Sequence, residues 1–145
     1  MKLNKLRRIY IDTNVLVGNF RGIKADVEAI NYLFKLRDNE LYTSVLAVSQ
    51  TISTLQGKKK NLEYRQKIVD YVNLLMHRMK IIGMVDTDIK TAFNIENVDI
   101  EDNIQLALGA KEHCYIYVTN NVKDFKYNNI YAVKPKQIRT IQAIA

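Results

Sequence analysis

Short apolar runs that end in a polar or acidic residue alternate in this chain with longer stretches of helical spacing. That alternation restricts the fold more than any other feature. "RIYID" reads as a buried strand whose carboxyl end carries Asp12, and "ELYTS" as a second strand leading into Ser44. "KIIGMV", "YIYVT" and "IYAV" supply further strand candidates. Between them, Lys24 to Leu36 places Val27, Ile30, Leu33 and Phe34 near one face, as an amphipathic helix requires. Ser44 suits the N-cap of a helix over roughly Val45 to Leu55. "QGKKKN" breaks that pattern, and a long helix is expected from Leu62 to Met79, marked by Ile68, Tyr71, Val72 and Leu75. Asp86 or Thr87 is expected to cap a short helix after it. A helix from Asp102 to His113 and a terminal helix after Pro135 complete the series. Strands alternating with helices imply βαβ units, hence an α/β chain with a mostly parallel sheet covered on both faces.

A length of 145 residues suits one domain, expected over 1–145, and no repeat or low-complexity tract divides it. A formal charge of +7 makes polyanions a candidate partner class. The lone Cys114 excludes an internal disulfide and argues against a zinc site built on cysteines, and a reducing cytoplasm is the expected setting. "MKLNKLRR" is basic but runs into "IYID" without an apolar stretch, and no apolar run approaches the roughly 20 residues of a membrane span.

On such a basic chain the placement of acids is informative. In open parallel sheets the functional crevice lies beyond the carboxyl ends of the strands. Asp12 follows the first strand; Asn120, Asn121 and Asp124 follow "YIYVT". Asp99 and Asp102 stand three apart at the start of a helix, so their side chains share a face if its first turn begins near Asp99. Grouped carboxylates repel one another unless a cation joins them, and hard oxygen ligands with room for water suit Mg²⁺ or Mn²⁺. Attack of an activated water on a phosphodiester is the chemistry this arrangement supports.

Three blocks in order, "YIDTNVLV", "DIEDNIQLALGA" and "YVTNNVKDF", with "MVDTDIKTAFNI" before the second, resemble the signature blocks of PIN-domain ribonucleases. The resemblance is strongest to VapC-type toxins of toxin-antitoxin pairs and spans nearly the whole chain. It implies a three-layer α/β/α PIN-like domain with a sheet of 4–5 strands. It also implies a Mg²⁺- or Mn²⁺-dependent endoribonuclease, often homodimeric and inhibited by a cognate antitoxin. By position, Asp12 matches the first-strand ligand and Thr13 its polar neighbour. Asp102 matches the acid opening the late helix, Asp99 an additional acid, and Asn121 a fourth acid that is often Asn in this branch; Asp124 stands where a nearby acid is common. The departure lies in "SVLAVSQTIS": six residues after Ser44, where the family usually has glutamate, stands Gln50. Its amide oxygen accepts a hydrogen bond but neutralises less of a dication, so weaker metal affinity or reduced activity is implied. A PIN-fold module that binds RNA or protein without cleaving it is the alternative. A phosphoryl-transfer domain fits less well, because "DTN" lacks a second aspartate and no P-loop occurs.

Several residues admit structural readings. Asp86 and Asp88 are assigned to helix capping, His77 and His113 to surface or packing positions on helices, and Cys114 to a small buried apolar site. Lys58, Lys59 and Lys60 form a basic loop that is either solvated or contacts phosphates. Tyr32, Tyr71 and Tyr115 sit among apolar neighbours and are assigned to core packing. Exposed Ile and Leu on the early helices are candidates for a dimer or antitoxin surface.

Overall fold

A computed structural model of the chain describes residues 7–36 and 39–143; most of the basic opening stretch, residues 1–6, lies outside the described residues. Strands β1 (Arg7–Ile11), β2 (Asn39–Ser44), β3 (Lys80–Ile82), β4 (Ile116–Val118) and β5 (Tyr131–Val133) form one five-stranded sheet. Its order is β3-β2-β1-β4-β5, and every neighbouring pair is parallel. Helices α1 (Thr13–Phe20), α2 (Lys24–Lys35), α3 (Val45–Gln56), α4 (Leu62–Arg78), α5 (Asp86–Phe93) and α6 (Ile100–Lys111) make the crossings. A short 3₁₀ turn covers Val122–Asp124, and the terminal helix expected after Pro135 is a 3₁₀ helix over Pro135–Ala143.

Side chains of a strand point alternately to the two faces of its sheet, and here each face has its own apolar layer. Ile9 and Ile11 of β1 and Ile116 and Val118 of β4 join Leu16, Ile30, Leu33 and Leu75 from α1, α2 and α4. Tyr10 and Tyr117, one residue out of phase, join Leu106, Ala107 and Leu108 of α6 on the opposite face. The result is the three-layer α/β/α arrangement. A smaller apolar cluster of Val17, Val48, Leu55, Ile68 and Val72 closes α1, α3 and α4 on one another.

The row of tyrosines positions α6. Tyr10 pairs in register with Tyr42 on one side and Tyr117 on the other, and the Tyr10 and Tyr117 rings stack with centroids 4.8 Å apart. The Tyr117 hydroxyl donates to the carbonyls of Leu106, at 2.9 Å, and Gln105, at 3.2 Å. That approach requires Gly109, because a Cβ there would lie 1.9 Å from the Tyr117 hydroxyl oxygen. Helix α6 is thereby seated against β1 and β4 with its N-terminus at the carboxyl edge of the sheet.

Some expected details differ. Val85, not Asp86 or Thr87, occupies the N-cap of α5; its N–H donates to Asp88 Oδ2 at 2.9 Å, while Asp86 Oδ1 accepts from the Thr87 N–H at 3.0 Å. Asp88 is buried and also pairs with Lys111 Nζ at 2.8 Å, so it caps α5 and fastens it to α6. His113 lies past the end of α6 with φ 61°, not on the helix. Tyr115 is 45% exposed beside His113 rather than in the core, whereas Tyr32 and Tyr71 are partly buried against it. Cys114 is fully buried.

Candidate active site

Strand β1 ends on the main-chain bond from the Asp12 N–H to the Val118 carbonyl, 3.0 Å, which fixes Asp12 between β1 and β4. Asp12 then caps α1: its Oδ1 accepts from the Thr13 N–H at 2.7 Å. Its Oδ2 accepts from Thr119 Oγ1 at 2.7 Å and Asn14 Nδ2 at 2.8 Å. The side chain is buried, and burial raises its proton affinity against the opposing hydrogen bonds of Thr119, Thr13 and Gln105. A buried carboxylate held by this many donors has one orientation, and it faces a groove.

The groove has a volume of about 870 Å³, and Asp12, Thr13, Gln50, Asp99, Glu101, Asp102 and Asn121 all line it. Asp99 is the N-cap of α6 and accepts from the Asp102 N–H at 3.0 Å, so one of its oxygens serves the helix and the other remains available. Asp102, half-buried on the first turn, receives no hydrogen bond from the described residues. Its proton affinity is pushed up to about 7, first by burial and then by the charges of Asp12, Asp99, Asp124 and Glu101. Asp124 thus acts on the site electrostatically from the 3₁₀ turn, although it is exposed and does not line the groove. Asn121 donates its N–H to Thr119 Oγ1 at 3.0 Å, tying the turn after β4 to the residue that holds Asp12. Lys58, Lys59 and Lys60 are exposed and lie outside the groove lining; Lys59 stands over the Tyr64 ring at 4.9 Å.

Gln50 is inside the site, and it is engaged at both ends. Thr13 Oγ1 donates to Gln50 Oε1 at 2.8 Å, and Gln50 Nε2 donates to Glu101 Oε2 at 2.5 Å. Sequence reasoning singled out Gln50 but missed Glu101, which sits among other polar residues at a helix start. It also missed a polar chain behind Asp12. Asn14 Oδ1 accepts from Asn120 N at 3.1 Å and from Asn120 Nδ2 at 3.2 Å, and the same Nδ2 donates to Asp26 Oδ1 at 3.2 Å. Asp26 is buried on α2 beside Gly18, where a Cβ would lie 1.7 Å from Asp26 Oδ2. The signal for Asp26 was present, because it shares a helical face with Ile30 and Leu33, where an acid is out of place. Gln105, buried on α6, accepts from the Tyr10 hydroxyl at 3.0 Å, and that hydroxyl shares a 2.7 Å bond with Ser44 Oγ. Ser44 in turn caps α3 through the Ala47 N–H at 3.1 Å. One tyrosine thus ties the starts of α3 and α6, the elements carrying Gln50 and Asp102, to the central strand.

The donor set suits a hard divalent ion. It consists of carboxylate oxygens around an open groove, with Asp102 unsatisfied and repelled by its neighbours. Among the described residues no three acidic, imidazole or thiolate side chains stand close enough to enclose an ion unaided. A Mg²⁺-type ion held by one or two carboxylates, with water in its remaining positions, requires no such enclosure.

No protein-family model matches the sequence, and no curated protein does. Solved structures do match by shape. A chain of the VapBC2 complex of Rickettsia felis, bound to promoter DNA, superposes with a TM-score of 0.67 at 17% identity, covering 88% of this chain and 98% of that one. A chain of VapBC-1 from nontypeable Haemophilus influenzae gives 0.62 at 16% identity, covering 81% and 90%. VapC20 of Mycobacterium tuberculosis, described as a sarcin-ricin loop cleaving toxin, gives 0.58 at 11% identity, covering 75% and 86%. The five-stranded parallel sheet between helices and these likenesses in shape give this chain the three-layer α/β/α, PIN-like fold that the VapC structures share.

Proposed function

We propose that the groove is the active site of a Mg²⁺- or Mn²⁺-dependent endoribonuclease, the toxin of a toxin-antitoxin pair acting in the cytoplasm. One observation carries the reading: a basic protein concentrates charge at one point, with buried Asp12 beside an Asp102 whose proton affinity burial and neighbouring acids raise to about 7. Such repulsion costs stability and is retained where function requires it. The shape match to a toxin described as sarcin-ricin loop cleaving supports RNA as the substrate class. Matches to VapBC complexes support an antitoxin partner; a homodimer is part of the same proposal. Among the described residues no helix is long and apolar enough to cross a membrane.

In this mechanism Asp12 and Asp102 would hold the ion, with Asp99 offering its free oxygen and Asp124 adding charge from outside. A bound Mg²⁺ or Mn²⁺ supplies Lewis-acid stabilisation of charge developing on phosphate and lowers the pKa of water. Hydrogen bonds from Thr119, Asn14 and the Thr13 N–H favour the ionised form of Asp12 against the effect of burial, and they aim it. Asn121 and Arg21 line the groove and would bind phosphate or ribose oxygens. The Lys58–Lys60 loop would contribute at most a distant electrostatic attraction. The test is hydrolysis of mixed RNA with Mn²⁺ by wild type, Asp12→Ala and Asp102→Ala. Each substitution is expected to reduce cleavage by at least about 100-fold, the scale on which single electrostatic groups at reacting centres act. Undiminished cleavage by both variants would remove the assignment.

A further inference from the structure

We propose that Glu101 is a further carboxylate of the cation site that reaches the ion through its bound water, and that Gln50 is the positioning residue that holds Glu101 there. This inference rests on the nuclease reading above. Gln50 on α3 carries no charge, yet its amide orientation is set by its partners. Thr13 Oγ1, with a single proton, donates it to Gln50 Oε1, which turns Nε2 towards the groove. An N–H aimed in this way needs an acceptor, and it finds Glu101 Oε2 at 2.5 Å. Glu101 is exposed on the first turn of α6, where a glutamate left alone would sample solvent. The bond from another helix, 51 residues away in sequence, instead fixes it over the groove next to Asp102.

The helix dipole alone does not account for this arrangement. An acid in the first turn already interacts favourably with the helix dipole and needs no partner on α3 for that. The bond also engages only Oε2, leaving the other oxygen available to an ion or its water. A carboxylate at position 50 would face Glu101 at hydrogen-bond distance without a proton between them. The neutral amide is therefore the side chain that lets Glu101 carry the charge. Position 50 and position 101 form one unit, with one charge and one hydrogen bond, in which the carboxylate stands on α6 and the amide on α3.

The test is calorimetric titration of the full chain with Mn²⁺, using wild type, Glu101→Gln, the exchange Gln50→Glu/Glu101→Gln, and Asp12→Asn. Thermal unfolding in EDTA checks that each is folded. Glu101→Gln is expected to weaken Mn²⁺ binding roughly 10- to 100-fold, the range for residues that support a metal site. The exchange keeps the charge and reverses the hydrogen bond, so it is expected to restore wild-type affinity. Wild-type Mn²⁺ affinity in Glu101→Gln, together with lost binding in Asp12→Asn, would overturn the role of Glu101 and leave the nuclease reading standing. Failure of the exchange to restore a folded site would overturn the pairing with Gln50. Unchanged Mn²⁺ binding in Asp12→Asn would instead overturn the reading on which the inference rests.

Discussion

Replacing Asp102 by asparagine should make the metal-free protein more stable while disabling it. The carboxyl titrates near 7 in the folded chain, against about 4 for a free carboxylate. Each tenfold change in proton affinity is about 1.4 kcal/mol, so the gap corresponds to at most ~4 kcal/mol of destabilisation above pH 7. Asp102 is only half-buried, and solvent screening reduces this to about 1–2 kcal/mol. For a chain of 145 residues that is a rise in Tm of about 3–6 °C at pH 8 in EDTA. The sign follows from linkage. Between about pH 4 and 7 the folded state binds a proton that the unfolded state does not, so acidification stabilises the wild type through this group. The advantage of Asp102→Asn should therefore be largest above pH 7 and shrink as pH falls towards 4. Saturating Mn²⁺ should reverse the order, because ligand at 100 times its Kd stabilises the wild type by about 2.7 kcal/mol. Urea or thermal unfolding at pH 8 and pH 5, with EDTA and with Mn²⁺, measures all of this. A variant no more stable than wild type at pH 8 in EDTA would refute the claim that uncompensated charge is held at Asp102.

Three further outcomes are expected. Gly18→Ala drives a methyl against Asp26 Oδ2, 1.7 Å from the Cβ position, and should cost about 1–3 kcal/mol in urea unfolding; an unaffected midpoint would show that α1 and α2 separate freely. Tyr10→Phe removes the buried hydroxyl between Ser44 and Gln105 and should cost about 1–3 kcal/mol, measured the same way. Asp88 is raised by burial but held below the usual carboxylate range by Lys111 and the Val85 N–H. Its contribution is thus present above about pH 4 and lost as pH falls through its lower folded value. Asp88→Asn should lower Tm at pH 7 and converge with wild type in strong acid; an unchanged gap between them at pH 2 would count against the ion pair.

Most of the fold was legible because each layer wrote its own period into the chain. Strand β1 and helix α4 show short-run and helical spacing clearly, and both lie within a residue of where periodicity predicts them. Helix α1 carries no amphipathic stripe: Val15, Leu16, Val17 and Gly18 are all buried, so its sequence does not distinguish it from a loop or strand extension. Tyr115 misled because it precedes β4, whose three residues are all buried, and stands exposed beside His113 where the covered part of the sheet has not yet begun. The acids at strand ends were readable from topology alone, because parallel sheets place such residues at one edge.

By itself the sequence determined the α/β alternation, the address of Asp12, Asp99, Asp102 and Asp124, and the neutrality of position 50. These follow from local spacing and residue chemistry, which need no knowledge of what lies across the groove. Only the tertiary structure decided which acids interact and how. It set Asp99 to capping α6, Asp102 to bearing the repulsion of its neighbours, and Asp124 to acting from a distance. It also joined Gln50 to Glu101 and linked Asp26, through Asn120 and Asn14, to Asp12. Hydrogen bonds between residues 51 or 106 positions apart depend on helix placement, and that placement is set by the packing of side chains such as Tyr10, Tyr117 and Gly109 against the sheet.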